Sequence, residues 1–170
     1  MKYLVVSDSH GDRQILVDLV RHFENSVDFF IHCGDSELPA KDELWNVFHV
    51  VGGNCDYDSN YKRQQLLVTD KDRIFVTHGH LSNVRMGLTN LKMQALEEEA
   101  TIALFGHTHQ IGCEQESGIL FLNPGSISQP RGSLPYKSFA IIESQETEYD
   151  VQYYDRDFHV LSDLHFKYNK

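Results

Sequence analysis

Short apolar runs alternate with polar breaks along the first half of the chain. The stretches "KYLVV", "DFFIHC" and "VFHVV" are rich in β-branched and aromatic residues, which is typical of buried strands. Between the first two runs, apolar residues recur at helical spacing, at Ile15, Leu16, Leu19, Val20 and Phe23. Asp12 directly precedes them and is suited to cap a helix. A strand, a helix and a strand in this order predict a βαβ unit with a parallel strand pair.

The second half of the chain predicts further strands and one helix. "QQLLVT" and "DRIFVTHGH" are predicted strands around a turn at Asp70–Asp72, and "TIALFGHTH" is another. "LTNLKMQALEEEA" is the predicted helix, with one apolar stripe at Leu88, Leu91, Ala95 and Leu96. Two hairpins are expected, one from "IGCEQE" and "GILFLN" and one from "KSFAIIES" and "YDVQYYD". We therefore expect an α/β fold with a parallel first half and an antiparallel second half.

Length, composition and charge limit the class of protein. The 170 residues are 41% hydrophobic and 24% charged, so we expect one domain over residues 1–170. Three cysteines form no C-x-x-C pair, and no apolar stretch suits a signal peptide or a membrane span. A reduced, cytoplasmic location without membrane contact is expected. The net charge of −10 argues against binding to extended nucleic acids, but a small anionic substrate fits if a metal supplies positive charge.

Side chains that can bind metals follow five of the predicted strands. They are Asp8, His10, Asp35, Asn54, His78, His80, His107 and His109. In open α/β folds ligands bind at the carboxyl ends of strands, so we expect these groups to meet in one crevice. Gly106 is expected to let the backbone turn off the strand before the last two histidines. The other five histidines are assigned to the surface or to packing: His22, His32, His49, His159 and His165.

Each piece of this set has an ordinary alternative. Asp8 and His10 can reach one ion, because residues i and i+2 of an extended backbone point the same way, but they would equally cap the helix that follows. Asp35 is typical of a turn, and Asn54 of a left-handed turn. A single histidine at a strand end is most often a hydrogen-bonded loop residue. The ordered set, with its two H-x-H pairs, favours metal binding over these alternatives.

The chemistry of the set favours two divalent cations over a structural zinc. Two aspartates leave a net positive site with two such cations, because asparagine and histidine are neutral ligands. A positive two-metal site attracts phosphate and can hold the attacking and leaving oxygens of a displacement at phosphorus. Mixed nitrogen and oxygen ligands suit Mn, Fe, Ni or Zn better than Mg or Ca. A structural zinc prefers a closed site of four Cys or His ligands.

In their order and spacing, these motifs resemble those of the calcineurin-like metallophosphoesterases. The motifs are Asp8-x-His10, Gly34-Asp35, Gly53-Asn54-x-Asp56, His78-Gly79-His80 and Gly106-His107-x-His109. The short chain, with "NPGS" and "PRG" following the last motif, is most similar to the small bacterial and archaeal phosphodiesterases of the YfcE type. The resemblance implies a four-layer α/β/β/α sandwich with mixed sheets and a dinuclear metal site at one edge.

The resemblance also implies a role for each ligand. The first metal would take Asp8, His10, Asp35 and His109. The second metal would take Asp35, Asn54, His78 and His107, so that Asp35 is shared. Manganese is the preferred ion, with iron, nickel and zinc as alternatives, and a metal-bridging hydroxide would attack phosphorus. His80 is expected behind a ligand or beside the substrate.

Two further residues are candidates for the reaction. Many family members have histidine after the asparagine, where it is thought to stabilise the transition state or protonate the leaving group, whereas this chain has Cys55. A thiol with an ordinary pKa of about 8.5 is a poor substitute, so we expect a preference for good leaving groups such as aryl diesters; a packing role for Cys55 is the alternative. Arg131 is a candidate contact for a phosphate oxygen, and an arginine in solvent is the alternative.

The expected function is a metal-dependent phosphodiesterase that acts on a small phosphoester. The same site would suit a phosphomonoesterase or a nucleotide hydrolase. A non-catalytic interaction module, like the retromer subunit that resembles this fold, is a third alternative. The complete ligand set favours catalysis, because a scaffold has no physical need for these polar groups. The aromatic C-terminal segment is expected to be an edge strand that covers the core, with a homodimer contact as the alternative.

Overall fold

Two stacked β-sheets and two helices make up the computed structural model, which describes residues 1–170. In chain order the strands are β1 (Lys2–Val6), β2 (Phe29–His32), β3 (Phe48–Val50), β4 (Gln64–Val68), β5 (Arg73–Thr77), β6 (Ile102–Leu104), β7 (Ile111–Glu116), β8 (Ile119–Pro124), β9 (Ser138–Ser144), β10 (Glu148–Asp155) and β11 (Val160–Asn169). The helices are α1 (Arg13–Phe23) and α2 (Thr89–Glu97), with short 3-10 turns at Glu43–Asn46 and Val84–Met86.

Both sheets mix parallel and antiparallel strands. The first has the order β11-β10-β9-β1-β2-β3 and the second β4-β5-β6-β8-β7. The predicted parallel pair of β1 and β2 is confirmed, but β9 pairs with β1 in the antiparallel sense. The expected division into a parallel and an antiparallel half is wrong, because β6 pairs in parallel with both β5 and β8. Because β7 returns along the edge in a hairpin, β8 runs in the same direction as β6 and pairs with it in parallel.

Alternate side chains of β1 enter two different cores. Tyr3 and Val5 pack between the two sheets, whereas Leu4 and Val6 pack against α1 on the outer face of the first sheet. On the other side of the molecule, α2 covers the second sheet with buried Leu91. The layers are thus helix, sheet, sheet and helix, which confirms the expected four-layer α/β/β/α sandwich with mixed sheets.

The two predicted helices differ in how closely they follow the sequence pattern. In α1, Asp12 accepts a hydrogen bond from the backbone N–H of Ile15 at 3.2 Å, so the predicted cap is confirmed. In α2 the predicted stripe is wrong at Leu96, which is half exposed. Leu91 and Ala95 are one helical turn apart and share a face, but residue 96 is turned by about 100° from residue 95 and leaves it.

The loops after the parallel strands meet at one edge of the sandwich. The backbone N–H of Asp8 donates to the carbonyl of Gly34 at 3.0 Å, and that of Gly106 donates to the carbonyl of His78 at 3.1 Å. These bonds connect loops that follow four different strands. At the far side of the first sheet, β11 is the edge strand expected of the C-terminal segment. None of the helices has the length and hydropathy needed to cross a membrane.

Candidate metal centre

Five of the predicted metal ligands have left-handed backbone conformations. Their φ angles are 55° for Asp8, 45° for His10, 53° for Asp35, 67° for His107 and 59° for His109. Residues other than glycine rarely adopt positive φ, and such residues cluster at functional sites. The expectation that Asp8 and His10 line up along an extended backbone is therefore wrong. The chain instead turns tightly after each strand, and these turns aim the side chains.

The four residues predicted for the first metal form a compact group. The ligand atoms of Asp8, His10, Asp35 and His109 all lie within 4.8 Å of one another. His109 Nε2 is 3.0 Å from Asp8 Oδ1 and 3.2 Å from His10 Nε2. Both aspartates and His109 are buried, and His10 is half-buried. Two carboxylates and two imidazoles are thus held together with little access to water.

Three of the predicted histidine ligands are oriented through their Nδ1 atoms. The partners are Glu37 Oε1 at 2.6 Å for His10, the Cys33 carbonyl at 2.8 Å for His78 and the Gln129 carbonyl at 2.7 Å for His109. Carboxylate and carbonyl oxygens only accept hydrogen bonds, so each Nδ1 carries the proton of the neutral ring. In the neutral form each ring then presents an unprotonated Nε2, which is the usual arrangement behind a metal-binding histidine.

The lone pairs at the centre of this group lack hydrogen-bond donors. Asp8 Oδ1 and His78 Nε2 are buried without a hydrogen-bond partner, and the Nε2 atoms of His10 and His109 face each other. A buried acceptor without a partner costs about 1–3 kcal/mol. A cation among these atoms would remove that cost. Carboxylates with neutral imidazoles therefore fit a divalent cation of the series from manganese to zinc.

The residues predicted for the second metal are only partly brought together. His78 Nε2 lies 3.2 Å from Asp35 Oδ2, and the rings of His78 and His107 are 5.2 Å apart between centroids. Asp35 therefore contacts both predicted sets. Asn54 is exposed, and its amide donates to Cys55 Sγ at 3.2 Å. The left-handed turn considered for Asn54 is wrong, because its φ is not positive.

Cys55, His80 and Arg131 lie at the margin of the group. The Cys55 backbone N–H donates to Asp35 Oδ1 at 2.7 Å. Burial and the nearby Asp35 carboxylate raise the pKa of the Cys55 thiol to about 12, so the thiol is protonated at neutral pH. His80 lies with its ring centroid 5.4 Å from that of His78, and its Nδ1 is buried without a partner. The Arg131 side chain is exposed.

Charges within the group shift the pKa values of its members in different directions. Burial raises the pKa of Asp35, but its interactions with His78 outweigh burial and hold it well below the ordinary value. Burial lowers the pKa of His78, but Asp35 and Asp8 outweigh burial and raise it. Burial, together with the neighbouring His78 and Arg85 side chains, lowers the pKa of His107 to about 4. An ionised Asp35 and a neutral His107 are the states that metal ligation requires.

Two glycines make room for the carboxylates. A Cβ on Gly106 would lie 2.0 Å from Ser7 Oγ and 2.6 Å from Asp8 Oδ2, and a Cβ on Gly53 would lie 2.0 Å from Asp35 Oδ1. Neither glycine has a positive φ. The expectation that Gly106 serves to turn the backbone is therefore wrong. Glycine is needed there because the Asp8 loop passes too close for any side chain.

Two acidic residues without a predicted role position the ligands. Asp56 is buried, and its Oδ2 accepts the backbone N–H groups of Asp35 at 2.8 Å and Gly53 at 2.7 Å. It thereby joins the loop after β2 to the loop after β3. Glu37 orients His10, as described above. Asp56 belongs to the recognised motif, but the only sequence signal for Glu37 is its place two residues after Asp35.

A cavity of about 440 Å³ adjoins this group of residues. Thr108, which separates the predicted ligands His107 and His109, is part of its lining, and so are Arg85 and Arg131. Arg85 Nε donates to His107 Nε2 at 3.1 Å. The cavity therefore opens beside the predicted ligands His107 and His109. No sequence pattern around Arg85 predicted that its side chain lies beside His107 and lines the cavity.

Comparison with known proteins agrees with this geometry. The model of the calcineurin-like phosphoesterase superfamily domain matches residues 1–147. The probable metallophosphoesterase YsnB of Bacillus subtilis is 38% identical over 164 residues, which cover 96% of each chain. The phosphodiesterase YfcE of Escherichia coli is 32% identical over 162 residues, covering 79% of this chain and 84% of YfcE.

Solved structures show the same relationship. A conserved protein of Streptococcus pneumoniae, titled a predicted phosphoesterase, superimposes with a TM-score of 0.96 at 37% identity, covering 99% of this chain and 97% of the other. Vps29 of Entamoeba histolytica, solved in complex with Zn²⁺, has a TM-score of 0.74 at 22% identity over 99% of both chains. The likeness to Vps29 shows a shared fold alone.

Proposed function

The chain belongs to the calcineurin-like phosphoesterase superfamily, and from that membership we propose that it hydrolyses phosphodiesters with two divalent cations. One observation carries the proposal: three histidines are oriented by their Nδ1 partners so that bare Nε2 atoms face the buried carboxylates of Asp8 and Asp35. The similarity to YfcE, which is named a phosphodiesterase, supports a diester over other phosphoesters.

The proposed ligand sets are those that the family motifs imply. Asp8, His10, Asp35 and His109 would hold one cation. Asp35, Asn54, His78 and His107 would hold the other, with manganese preferred over iron, nickel or zinc. When bound, the two cations supply positive charge for the phosphate oxygens and lower the pKa of a bound water. Asp56 holds the loops after β2 and β3 together through its hydrogen bonds to their backbones, and Glu37 orients the His10 ring.

Cys55 supports a preference for substrates with good leaving groups. A general acid acts best when its pKa lies near the working pH. A thiol, with an ordinary pKa of about 8.5, is a poorer general acid at neutral pH than the histidine that many family members have at this place. Small diesters with aryl leaving groups, which depart without protonation, are therefore the proposed substrates.

The proposal is tested by hydrolysis of bis(p-nitrophenyl) phosphate by the purified protein as isolated, after chelation and after readdition of Mn²⁺. We expect chelation to abolish the activity and Mn²⁺ to restore it. Asp35→Asn is expected to be inactive, and Asp163→Asn, at an exposed position in β11, is the matched control. A folded protein without activity under Mn²⁺, Fe²⁺, Ni²⁺ and Zn²⁺ would refute the proposal. Faster hydrolysis of p-nitrophenyl phosphate than of the diester would favour a phosphomonoesterase.

A further inference from the structure

The cavity beside the proposed metal centre has an unusual charge for this chain. Its lining contains two arginines, Arg85 and Arg131, and no acidic residue. Acidic residues outnumber basic ones by 25 to 15 in the chain as a whole. The rest of the lining includes the apolar side chains of Val84, Leu88 and Phe105. The lining joins apolar and polar side chains to two guanidinium groups, which pair with anions and stack on aromatic faces, so it suits a flat organic group that carries an anion.

Arg131 is free to meet such an anion. It is the only arginine in the chain whose side chain makes neither a hydrogen bond nor an ion pair. Arg13, by contrast, is paired with Asp42. The backbone N–H of Arg131 donates to the carbonyl of His109 at 3.0 Å, which places the residue next to a predicted metal ligand. An unpaired guanidinium beside the cavity is available to an anion from outside the chain.

Arg85 donates a hydrogen bond to His107, and this bond would break if His107 bound a cation. Its Nε–H donates to His107 Nε2 at 3.1 Å. If Nε2 binds a cation, its lone pair is no longer available to Arg85. If Nδ1 binds the cation, the neutral ring carries its proton on Nε2, which then cannot accept. In either case ligation by His107 releases the Arg85 guanidinium beside the cavity.

We propose that this cavity holds the part of the substrate beyond phosphorus and selects a flat group that carries a second anion, contacted by Arg131 and Arg85. The inference rests on the proposed function, because the phosphate at the metal centre fixes which part of the substrate enters the cavity. A cavity of about 440 Å³ lies within the range that accommodates small organic ligands. The substrate class is thus an aryl or similarly flat phosphodiester with a carboxylate or phosphate on the flat group.

The test measures equilibrium binding of phosphonates, which are not hydrolysed, to the Mn²⁺-loaded protein by calorimetry. The probes are 4-carboxyphenylphosphonate, its neutral match 4-carbamoylphenylphosphonate, and 1,4-phenylenebisphosphonate, which carries phosphonate as the second anion. We expect each probe with a second anionic group to bind about tenfold more tightly than the carbamoyl probe, since a charge-assisted bond to arginine is among the stronger hydrogen bonds. A preference for only one of the two defines which anion the cavity accepts.

Variants locate the source of the preference. Arg131→Met is expected to reduce the ratio of the affinities for the carboxy and carbamoyl probes to about twofold or less. Arg21→Met, at an exposed arginine in α1, is expected to retain that ratio. Arg85→Met is expected to reduce the ratio and to raise the affinity for Mn²⁺ by about two- to tenfold, because no bond to His107 has to break. Weaker Mn²⁺ binding in Arg85→Met would indicate a structural role and overturn the part assigned to Arg85.

The outcomes separate the cavity from the proposed function. The cavity proposal is overturned if the wild-type protein binds the probes with and without a second anionic group equally, or if the affinity ratio between them survives in Arg131→Met. Either result leaves the phosphodiesterase proposal standing. Absence of binding by every probe also overturns the cavity proposal. A clear preference for the anionic probes in a protein that hydrolyses no diester supports the cavity as an anion site and overturns the proposed reaction.

Discussion

Asp72 is a buried carboxylate that joins the two sheets, and its replacement by asparagine is expected to destabilise the protein. It lies in the turn between β4 and β5, away from the strand ends that carry the predicted ligands. Its Oδ2 accepts the hydroxyls of Tyr3 at 2.7 Å and Ser144 at 2.5 Å. Its Oδ1 accepts the Tyr149 hydroxyl at 2.9 Å and the Lys170 ammonium at 3.1 Å.

The size of the effect follows from these four bonds. Asparagine puts an NH₂ group in place of one oxygen, so two of the four donors lose their acceptor in either orientation of the amide. Hydrogen bonds to a charged group contribute about 1.5–3 kcal/mol each, so the loss of two amounts to about 3–6 kcal/mol. Hydroxyl groups can rotate to accept from the new NH₂ group, which recovers part of this. We expect Asp72→Asn to lower the free energy of unfolding by about 2–4 kcal/mol.

The dependence on pH tests the same reasoning with a definite sign. Burial raises the pKa of Asp72, but the hydrogen bonds led by those from Ser144 and Tyr3 outweigh burial, and the pKa is lowered. A carboxylate with a depressed pKa in the folded state stabilises the fold above about pH 4, and the stabilisation is lost as the pH falls through the folded-state pKa. The difference between wild type and Asp72→Asn is therefore expected to be constant from about pH 8 to 5 and to shrink below about pH 4.

Urea unfolding in the presence of chelator, followed by the fluorescence of Trp45, measures this difference without a contribution from metal binding. Asp163→Asn, which removes an exposed carboxylate, is the control and is expected to change the free energy of unfolding by about 0.5 kcal/mol or less. A difference below about 0.5 kcal/mol for Asp72→Asn at pH 7 would contradict the reasoning. So would a difference that grows on acidification.

The metal centre gives three further expected outcomes. Glu37→Ala should lower Mn²⁺ affinity about tenfold in a chelator competition, and Glu37→Gln, which still accepts from His10, should lower it less; unchanged affinity in both would contradict this. Gly106→Ala forces a Cβ to 2.6 Å from Asp8 Oδ2 and should abolish Mn²⁺ binding. Gly112→Ala is the control, because a Cβ there meets only Asn123 Cβ at 4.0 Å; equal loss of binding in both variants, or in neither, would contradict this. Mn²⁺ at about 100 times its Kd should stabilise the fold by about 2.7 kcal/mol for each cation bound, and an unchanged Tm would contradict this.

The sequence predicted those features that depend on local pattern and on motif order. The β-branched run of β1 and the helical spacing after Asp12 produced a correct βαβ unit, because strand and helix periods differ and each is visible over a few residues. The placement of Asp and His residues directly after strands predicted which loops would meet. Both predictions need only the direction of each strand and the short reach of the loop that follows.

The conformations of those loops depend on contacts that no local pattern contains. Asp8 and His10 adopt positive φ while their backbone N–H groups donate to Gly34 and Asp35 of another loop, at 3.0 and 3.1 Å. The expected extended geometry was wrong for this reason. The contacts of Asp72 and of Arg85 likewise join residues far apart in sequence. Side chains in such contacts carry no periodic signal, and only the folded chain brings them together.

The energetic cost of the centre bears on the choice between an enzyme and an interaction scaffold. Left-handed non-glycine residues cost about 1–3 kcal/mol each, and five of the predicted ligands adopt this conformation. Buried acceptors without donors, such as Asp8 Oδ1 and His78 Nε2, add a similar cost each. Protein folds are stable by only about 5–15 kcal/mol, so such a group persists where ligand binding offsets its cost. A scaffold could relieve the strain by simple substitutions, whereas a chain that binds cations to act on phosphate must keep these residues in place.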